Sequence, residues 1–323
     1  MAQDTSPLDP SRAAPAVSII VVSYNTRDMT LACLRSVYEE TRTPFELIVV
    51  DNASSDGSAE AIAAEFPKAT LLAETDNHGF AAANNLAATH ARAPFVLLLN
   101  PDTVILDGAV DRLMAFSQAR PGARIWGGRT YFGDRTLNPA SAWHRMTLWN
   151  LFCRASGLTA LGRNSPLWNG EAYGGWDRST ERAVDIVTGC FFLIARADWE
   201  ALGGFDLTFV MYGEEADLCL RAQKSLGAAP RVTPEANIIH YGGASETVRA
   251  DKMVRLNRAK MELISRHFPA WQVPLARALY LAWPLSRFVA SSLLRRGSSR
   301  DWSEIWSRRS EWRHGFGSGG SGR

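Results

Sequence analysis

Cysteine is scarce in this chain, four residues in 323, and no two of them fall in a Cys-x-x-Cys spacing. That argues against a disulfide framework and against a thiolate metal site. Cys33, Cys153, Cys190 and Cys219 read instead as small buried hydrophobes of a reducing compartment, without assigned chemistry. No run of 18 or more residues is free of charge, so no stretch has the form of a membrane-spanning helix. The first 16 residues lack the apolar core of a signal peptide, which argues for a cytoplasmic protein. No Gly-x-Gly-x-x-Gly and no Gly-x-x-x-x-Gly-Lys follows a strand pattern, which sets aside dehydrogenase and P-loop chemistry. There is no internal repeat.

A large excess of one charge is also missing, since the net charge is +2, but its distribution is uneven. Residues 251–323 hold 14 Lys and Arg against 5 Asp and Glu. This basic tail alternates with Trp271, Trp283, Trp302, Trp306 and Trp312, a pattern that favours a membrane surface over nucleic acid. A solvated helical tail with core aromatics remains the alternative, as does a homodimer interface. The length suits one main domain with an appendage.

What the chain does have is a repeated strand, polar loop and helix. Residues 17–23 (VSIIVVS), 45–50 (FELIVV), 69–73 and 95–99 (FVLLL) are β-branched or apolar runs without alternation, as in strands buried on both faces. Helices are expected after Thr26 or Asp28 to about Glu40, over 58–66, over 80–90 and over 107–120. The order βαβαβαβ predicts a parallel sheet between helix layers, with ligands beyond the carboxyl ends of the strands. Residues 127–182 read as loops and short strands shaping an acceptor cleft, and 184–195 as a strand pair or one long strand. Helices follow at 198–202 and 216–226, and from Met253 onward, punctuated by Pro269, Pro274 and Pro284.

Polar residues collect at the strand ends. In Asn100-Pro101-Asp102 a proline-stiffened turn presents a carboxylate where a hard divalent cation bridging two phosphates could sit, although the same tripeptide also makes an ordinary turn. Asp51 and Asn52 can pair with the edge of a pyrimidine base, or form an Asx turn, or both. Gly79, in the run from Asn77 to Asn85, allows close approach of backbone to a ligand. Glu214, Glu215 and Asp217 crowd a helix N-terminus, where repulsion can raise one pKa toward that of a general base; the bland reading pairs Asp217 with Arg221 in a weak surface bridge. His240 ends an apolar strand and offers an imidazole to a metal that Asp102 alone leaves under-coordinated.

Seven segments in order, VSYN around Ser23, VDNASSDGS from Val50, NHGFAAANN from Asn77, LLLNPD from Leu97, GGFD from Gly203, MYGEEADLCLR from Met211 and HYGGAS from His240, resemble the inverting family 2 glycosyltransferases. The bacterial rhamnosyltransferase-like branch is the most similar. The resemblance implies an α/β fold of GT-A type, a Rossmann-like, mostly parallel sheet between helix layers, over 17–250. A disordered segment at 1–16, a helical, membrane-associating region at 251–314 and a flexible tail at 315–323 complete the expected organisation. Carried over by position, Ser23, Tyr24, Asn25, Asp51 and Asn52 contact the nucleoside, Gly79, Phe80 and Asn84 line its pocket, and Asn100 and Asp102 meet the diphosphate. Asp102 and His240 hold manganese or magnesium. The family's catalytic aspartate is Glu215 here, which leaves Glu214 as an alternative base, and the first acid of its Asp-x-Asp motif is Asn100. The implied activity is hexosyl transfer, best as rhamnose from dTDP-rhamnose and next as a UDP-sugar, to a glycan or polyprenyl-diphosphate-linked acceptor on the inner face of the cytoplasmic membrane. A catalytically inactive nucleotide-sugar-binding scaffold is the non-enzyme reading, and donor turnover separates the two.

Overall fold

A computed structural model describes residues 14–242, 249–294 and 299–317. The bulk of the N-terminal segment and of the tail lies outside the described residues, as does the end of the HYGGAS segment.

The expected alternation forms: β1 (Val17–Ser23), α1 (Arg27–Glu40), β2 (Phe45–Asn52), α2 (Ser58–Glu65), β3 (Thr70–Glu74), α3 (Gly79–Thr89) and β4 (Phe95–Leu99). Then come β5 (Thr103–Leu106), α4 (Ala109–Ala119), β6 (Ile125–Tyr131), β7 (Leu137–Asn138), β8 (Ala142–Trp143), α5 (Leu148–Ser156) and α6 (Leu158–Leu161). The second half adds β9 (Arg182–Ala183), β10 (Ile186–Val187), β11 (Phe191–Ala195), α7 (Arg196–Leu202), α8 (Glu214–Leu226) and β12 (Arg231–His240). Four helices follow, α9 (Arg249–His267), α10 (Val273–Leu294), α11 (Ser299–Ser307) and α12 (Arg309–Trp312).

Among the described residues the main sheet runs β3-β2-β1-β4-β11-β6-β12-β5. The first four strands are parallel, β11 is antiparallel to both its neighbours, and β12 is parallel to β6. Every residue of β1 is buried because helices cover both faces. Ile19 and Val21 pack with Leu34 and Leu113 on one side, Ile20 and Val22 with Ala83 and Leu218 on the other.

Two features beyond β4 position the site. Of the two readings of 184–195, two strands form: β10 and β11 are separated by Thr188-Gly189-Cys190, which turns across the carboxyl end of β4, where Asn100 N donates to Cys190 O at 3.1 Å. Within the stretch read as loops and short strands, β6 is a central strand. Its glycines, which look like loop signals, are packing residues: a Cβ on Gly128 would lie 2.2 Å from Ala236 O. The same stretch forms α5, where Asn150 N donates to the capping Thr147 Oγ1.

The C-terminal helices are not a detached appendage. Ala259 and Leu263 of α9 belong to the main core, and a second cluster joins Leu151 of α5 to Met261, Ile264, Tyr280 and Trp312. Trp283 and Trp306 pack against that cluster, and Trp283 meets Trp302 edge-on at 5.5 Å. Of the tail tryptophans, Trp271 stands out in solvent. Pro284 lies inside α10 and does not end it. Phe316, which the sequence places in a flexible tail, stacks edge-on with Phe209 at 5.7 Å beneath the Arg258 guanidinium.

Candidate active site

The polar strand ends meet along one edge of the sheet. At the end of β1, Ser23 is buried, its hydroxyl bonded to Thr26 and Thr30, which fixes the turn. Tyr24 is exposed beside it. Asn25 adopts a left-handed backbone (φ 52°), and its side-chain oxygen accepts from Ser55 N at 2.8 Å. At the end of β2, Asp51 accepts from Ser54 N through one oxygen while the other is buried without a partner. Asn52 accepts from His78 N and donates to Asn77. The Asx-turn reading and an unpaired acceptor therefore coexist at Asp51.

Asn84 donates to Phe80 O within α3 and is buried, so its amide braces the helix. Its neighbour Asn85, which sequence reasoning passed over, accepts from Phe205 N at 2.9 Å and donates to Phe205 O at 2.8 Å. This clamp fixes the Gly-Gly-Phe-Asp turn. From there the chain returns over the start of α3, with Val210 O only 3.0 Å from where a Cβ on Gly79 would lie.

Antiparallel pairing of β5 with β12 sets Thr103 opposite His240, and so brings together residues 137 positions apart in sequence. His240 Nε2 lies 3.4 Å from one oxygen of Asp102, whose other oxygen accepts from Gly242 N at 3.0 Å. Burial opposes charge on His240, but the adjacent Cys190 side chain and the Asp102 carboxylate outweigh it and raise its pKa to about 11. Asn100 Oδ1 is buried without a partner at the same place. Cys190, given no role from sequence, is thus a neighbour of the histidine. No Cys-x-x-Cys signal could have revealed it, because the contact depends on the break between β10 and β11.

The acids of α8 are presented by two successive left-handed residues, Tyr212 (φ 71°) and Gly213 (φ 90°). A bulky residue rarely adopts this conformation, and it is found here directly before the candidate base. Glu214 is buried and Glu215 half-buried, and each has a carboxylate oxygen without a partner. Burial raises the pKa of both, and for Glu214 the charge of Glu215 adds to it. Lys260 on α9 pulls Glu215 back toward the ionised form. Gly189 packs against Glu215: a Cβ there would lie 3.7 Å from Glu215 Cβ and equally far from the Phe80 ring. Residues 189 and 190 therefore link the carboxylate of α8 to the Asn100, Asp102 and His240 cluster.

Asp217 points to other partners. It is fully buried, with Arg221 Nε at 2.6 Å and His267 Nε2 at 2.9 Å, a core ion pair and not a surface bridge. Behind the acids, Glu171 is held by Arg154 at 2.8 Å and Lys260 at 2.6 Å, and despite its burial these cations depress its pKa to about 2.

The family model described as Glycosyl transferase family 2 matches residues 18–199. The chain belongs to that family. This family 2 glycosyltransferase is 29% identical over 252 residues to the O-antigen biosynthesis protein RfbC of Myxococcus xanthus, covering 75% of this chain but 18% of that much longer protein. It is 26% identical over 302 residues to the N-acetylglucosaminyl-diphospho-decaprenol L-rhamnosyltransferase of Mycobacterium tuberculosis, covering 87% of this chain and 95% of that one. The fold is similar to mannosyltransferase PcManGT from Pyrobaculum calidifontis, solved with GDP-Man and Mn2+ (TM-score 0.53, 19% identity, 96% of this chain and 89% of that one). It is also similar to Staphylococcus aureus TarS (TM-score 0.53, 17% identity, 88% and 47%). The enzyme is thus a GT-A glycosyltransferase, and among the described residues no helix is long and apolar enough to cross a membrane.

Proposed function

We propose that this enzyme transfers rhamnose from dTDP-rhamnose, with inversion, to a hydroxyl of a polyprenyl-diphosphate-linked glycan, with Glu215 as the base. The observation that carries the reading is the run Gly189-Cys190, which touches Glu215 at one residue and His240, the neighbour of Asp102, at the next. Glu215 is favoured over Glu214 because it is the less buried of the two and because Lys260 partly offsets the burial that disfavours its ionised form. The mycobacterial relative, aligned along nearly all of both chains, supports the donor and the lipid-linked acceptor.

In this reaction Glu215 takes the proton of the acceptor hydroxyl. The oxygen bonds to the anomeric carbon from the face opposite the diphosphate, and the bond from that carbon to the diphosphate oxygen breaks, its electron pair leaving with dTDP. The unpartnered oxygen of Asp51 accepts the N–H of the pyrimidine base. Asp102, His240 and the unpartnered Asn100 Oδ1 form an oxygen and nitrogen donor set suited to manganese or magnesium, with phosphate oxygens needed to complete the shell. Such a cation supplies positive charge against the departing diphosphate. It competes with a proton for His240 Nε2.

The test is turnover by the purified full chain with manganese, a lipid-linked acceptor and dTDP-rhamnose or UDP-sugars. Chelation should stop turnover, and Asp102→Ala should lower it at least about a hundredfold. Glu215→Gln should lower kcat by about two to four orders of magnitude with donor KM nearly unchanged. Near wild-type turnover in Glu215→Gln removes it as the base, and preference for a UDP-sugar removes the donor assignment.

A further inference from the structure

With most of the tail tryptophans turned inward, the exposed apolar surface lies elsewhere. On α10, Leu275, Ala278, Leu285 and Val289 face solvent, with Trp271 one turn ahead of them and 78% exposed. Their spacing of four and three places them on one face, where Ser286 and Ser292 are the exposed polar residues. The helix is 22 residues long, about 33 Å, so this face extends along the molecule.

A second apolar surface is a knob on α5 and α6, the helices beside α10. Trp149 and Phe152 are both exposed with ring centroids 5.6 Å apart, and Trp149 Nε1 donates to the carbonyl of exposed Leu167. Trp168 packs over Gly162, and its carbonyl accepts from Thr159, next to the solvent-facing Leu161. Aromatic rings with a polar edge, set among exposed leucines, are the composition of a water–hydrocarbon boundary. Arg154 of α5 lies over the Trp283 ring of α10, so the knob and the helix are packed together.

The charge selects the occupant. α10 carries Arg277 and Arg287 and no aspartate or glutamate. A second copy docking α10 on α10 would bring these arginines toward their copies with no acid on the helix to meet them, whereas an anionic lipid surface neutralises them. The knob also leads directly into Glu171, whose partner Lys260 stands beside Glu215.

We propose that the exposed face of α10 and the α5–α6 knob form one docking surface for the interfacial zone of an anionic bilayer. The helix lies in the plane of the membrane and the knob aromatics enter the headgroup layer. A lipid-borne acceptor held there has its headgroup directed along the 162–171 segment toward the base.

The experiment is flotation of the full chain with vesicles of phosphatidylcholine alone or mixed with phosphatidylglycerol. Two double variants, Leu285→Ser with Val289→Ser and Trp149→Ser with Phe152→Ser, change only exposed side chains. Wild type should bind the mixed vesicles at least about tenfold better than the neutral ones. Each double variant should lose about tenfold or more in binding. Unchanged thermal and denaturant unfolding show that the variants fold. Failure of wild type to bind mixed vesicles overturns the proposal, as does equal binding by the variants. So does a wild-type dimer that the α10 variant splits. None of these outcomes depends on donor identity or on Glu215, so the proposed reaction is tested apart from it.

Discussion

His267 Nε2 lies 2.9 Å from Asp217 Oδ1, which ties the last turn of α9 to the first turn of the helix that carries the candidate base. Arg221 bonds the other oxygen of the same carboxylate. The C-terminal helix is therefore a structural part of the catalytic helix's setting, although it lies beyond the residues matched by the family model.

Asp217→Asn should destabilise the fold by about 3 kcal/mol, because Arg221 and His267 lose a buried counter-charge. The Asp217 pKa is lowered: burial raises it, but the bonds from His267 and Arg221 outweigh that. Its stabilisation is present above the unfolded value of 3.8 and lost as pH falls through the lower folded value. Denaturant unfolding and turnover per folded molecule check this. Unchanged stability with abolished turnover would make Asp217 a catalytic acid and refute the anchoring role.

Glu214→Gln should stabilise the protein at neutral and alkaline pH. Burial and the charge of Glu215 raise the Glu214 pKa, so its ionised form is disfavoured in the folded state. For an acid with a raised folded pKa, the favourable contribution holds below the unfolded value and is lost as pH rises through the folded one. Melting temperatures across pH should show the variant gaining on wild type as pH increases. A constant difference at all pH values would contradict this.

Glu171→Gln should cost about 3 kcal/mol, since it leaves the half-buried Arg154 and Lys260 without their buried carboxylate. With a folded pKa of about 2 against an ordinary 4.5, Glu171 stabilises the fold above 4.5, and that stabilisation falls away between the two values. Acid titration of unfolding should therefore show a shallower loss of stability in the variant over that window. Identical acid profiles would remove Glu171 from the account.

Lys260→Met should move the acidic limb of the kcat/KM profile to higher pH. The ammonium favours ionised Glu215, and without it burial is less opposed. Donor KM at high pH should change little. A parallel drop in rate at every pH would mean that Lys260 only supports the fold.

The first half of the fold was legible in the sequence because β1, β2 and β4 are continuous apolar runs and each precedes a polar loop and a helix, a strictly local signal. The strand-end residues Asn25, Asp51, Asn52, Asn100 and Asp102 follow from that reading, since a parallel sheet puts its loops on one edge. Tertiary structure alone decided which of them meet. His240 reaches Asp102 by pairing of β12 with β5, and Cys190 reaches His240 by a break between β10 and β11; neither distance is encoded in local pattern. The same holds for the glycines of β6, which read as loop signals until Ala236 and Phe191 are packed against them. Ser23 and Asn84 carry side chains suited to ligands, yet their partners lie within their own turn and helix. In the tail, composition showed tryptophan and arginine but not direction: packing against α5 and α9 turned most of the rings inward and left the apolar faces of α10 and of the α5–α6 knob to the solvent.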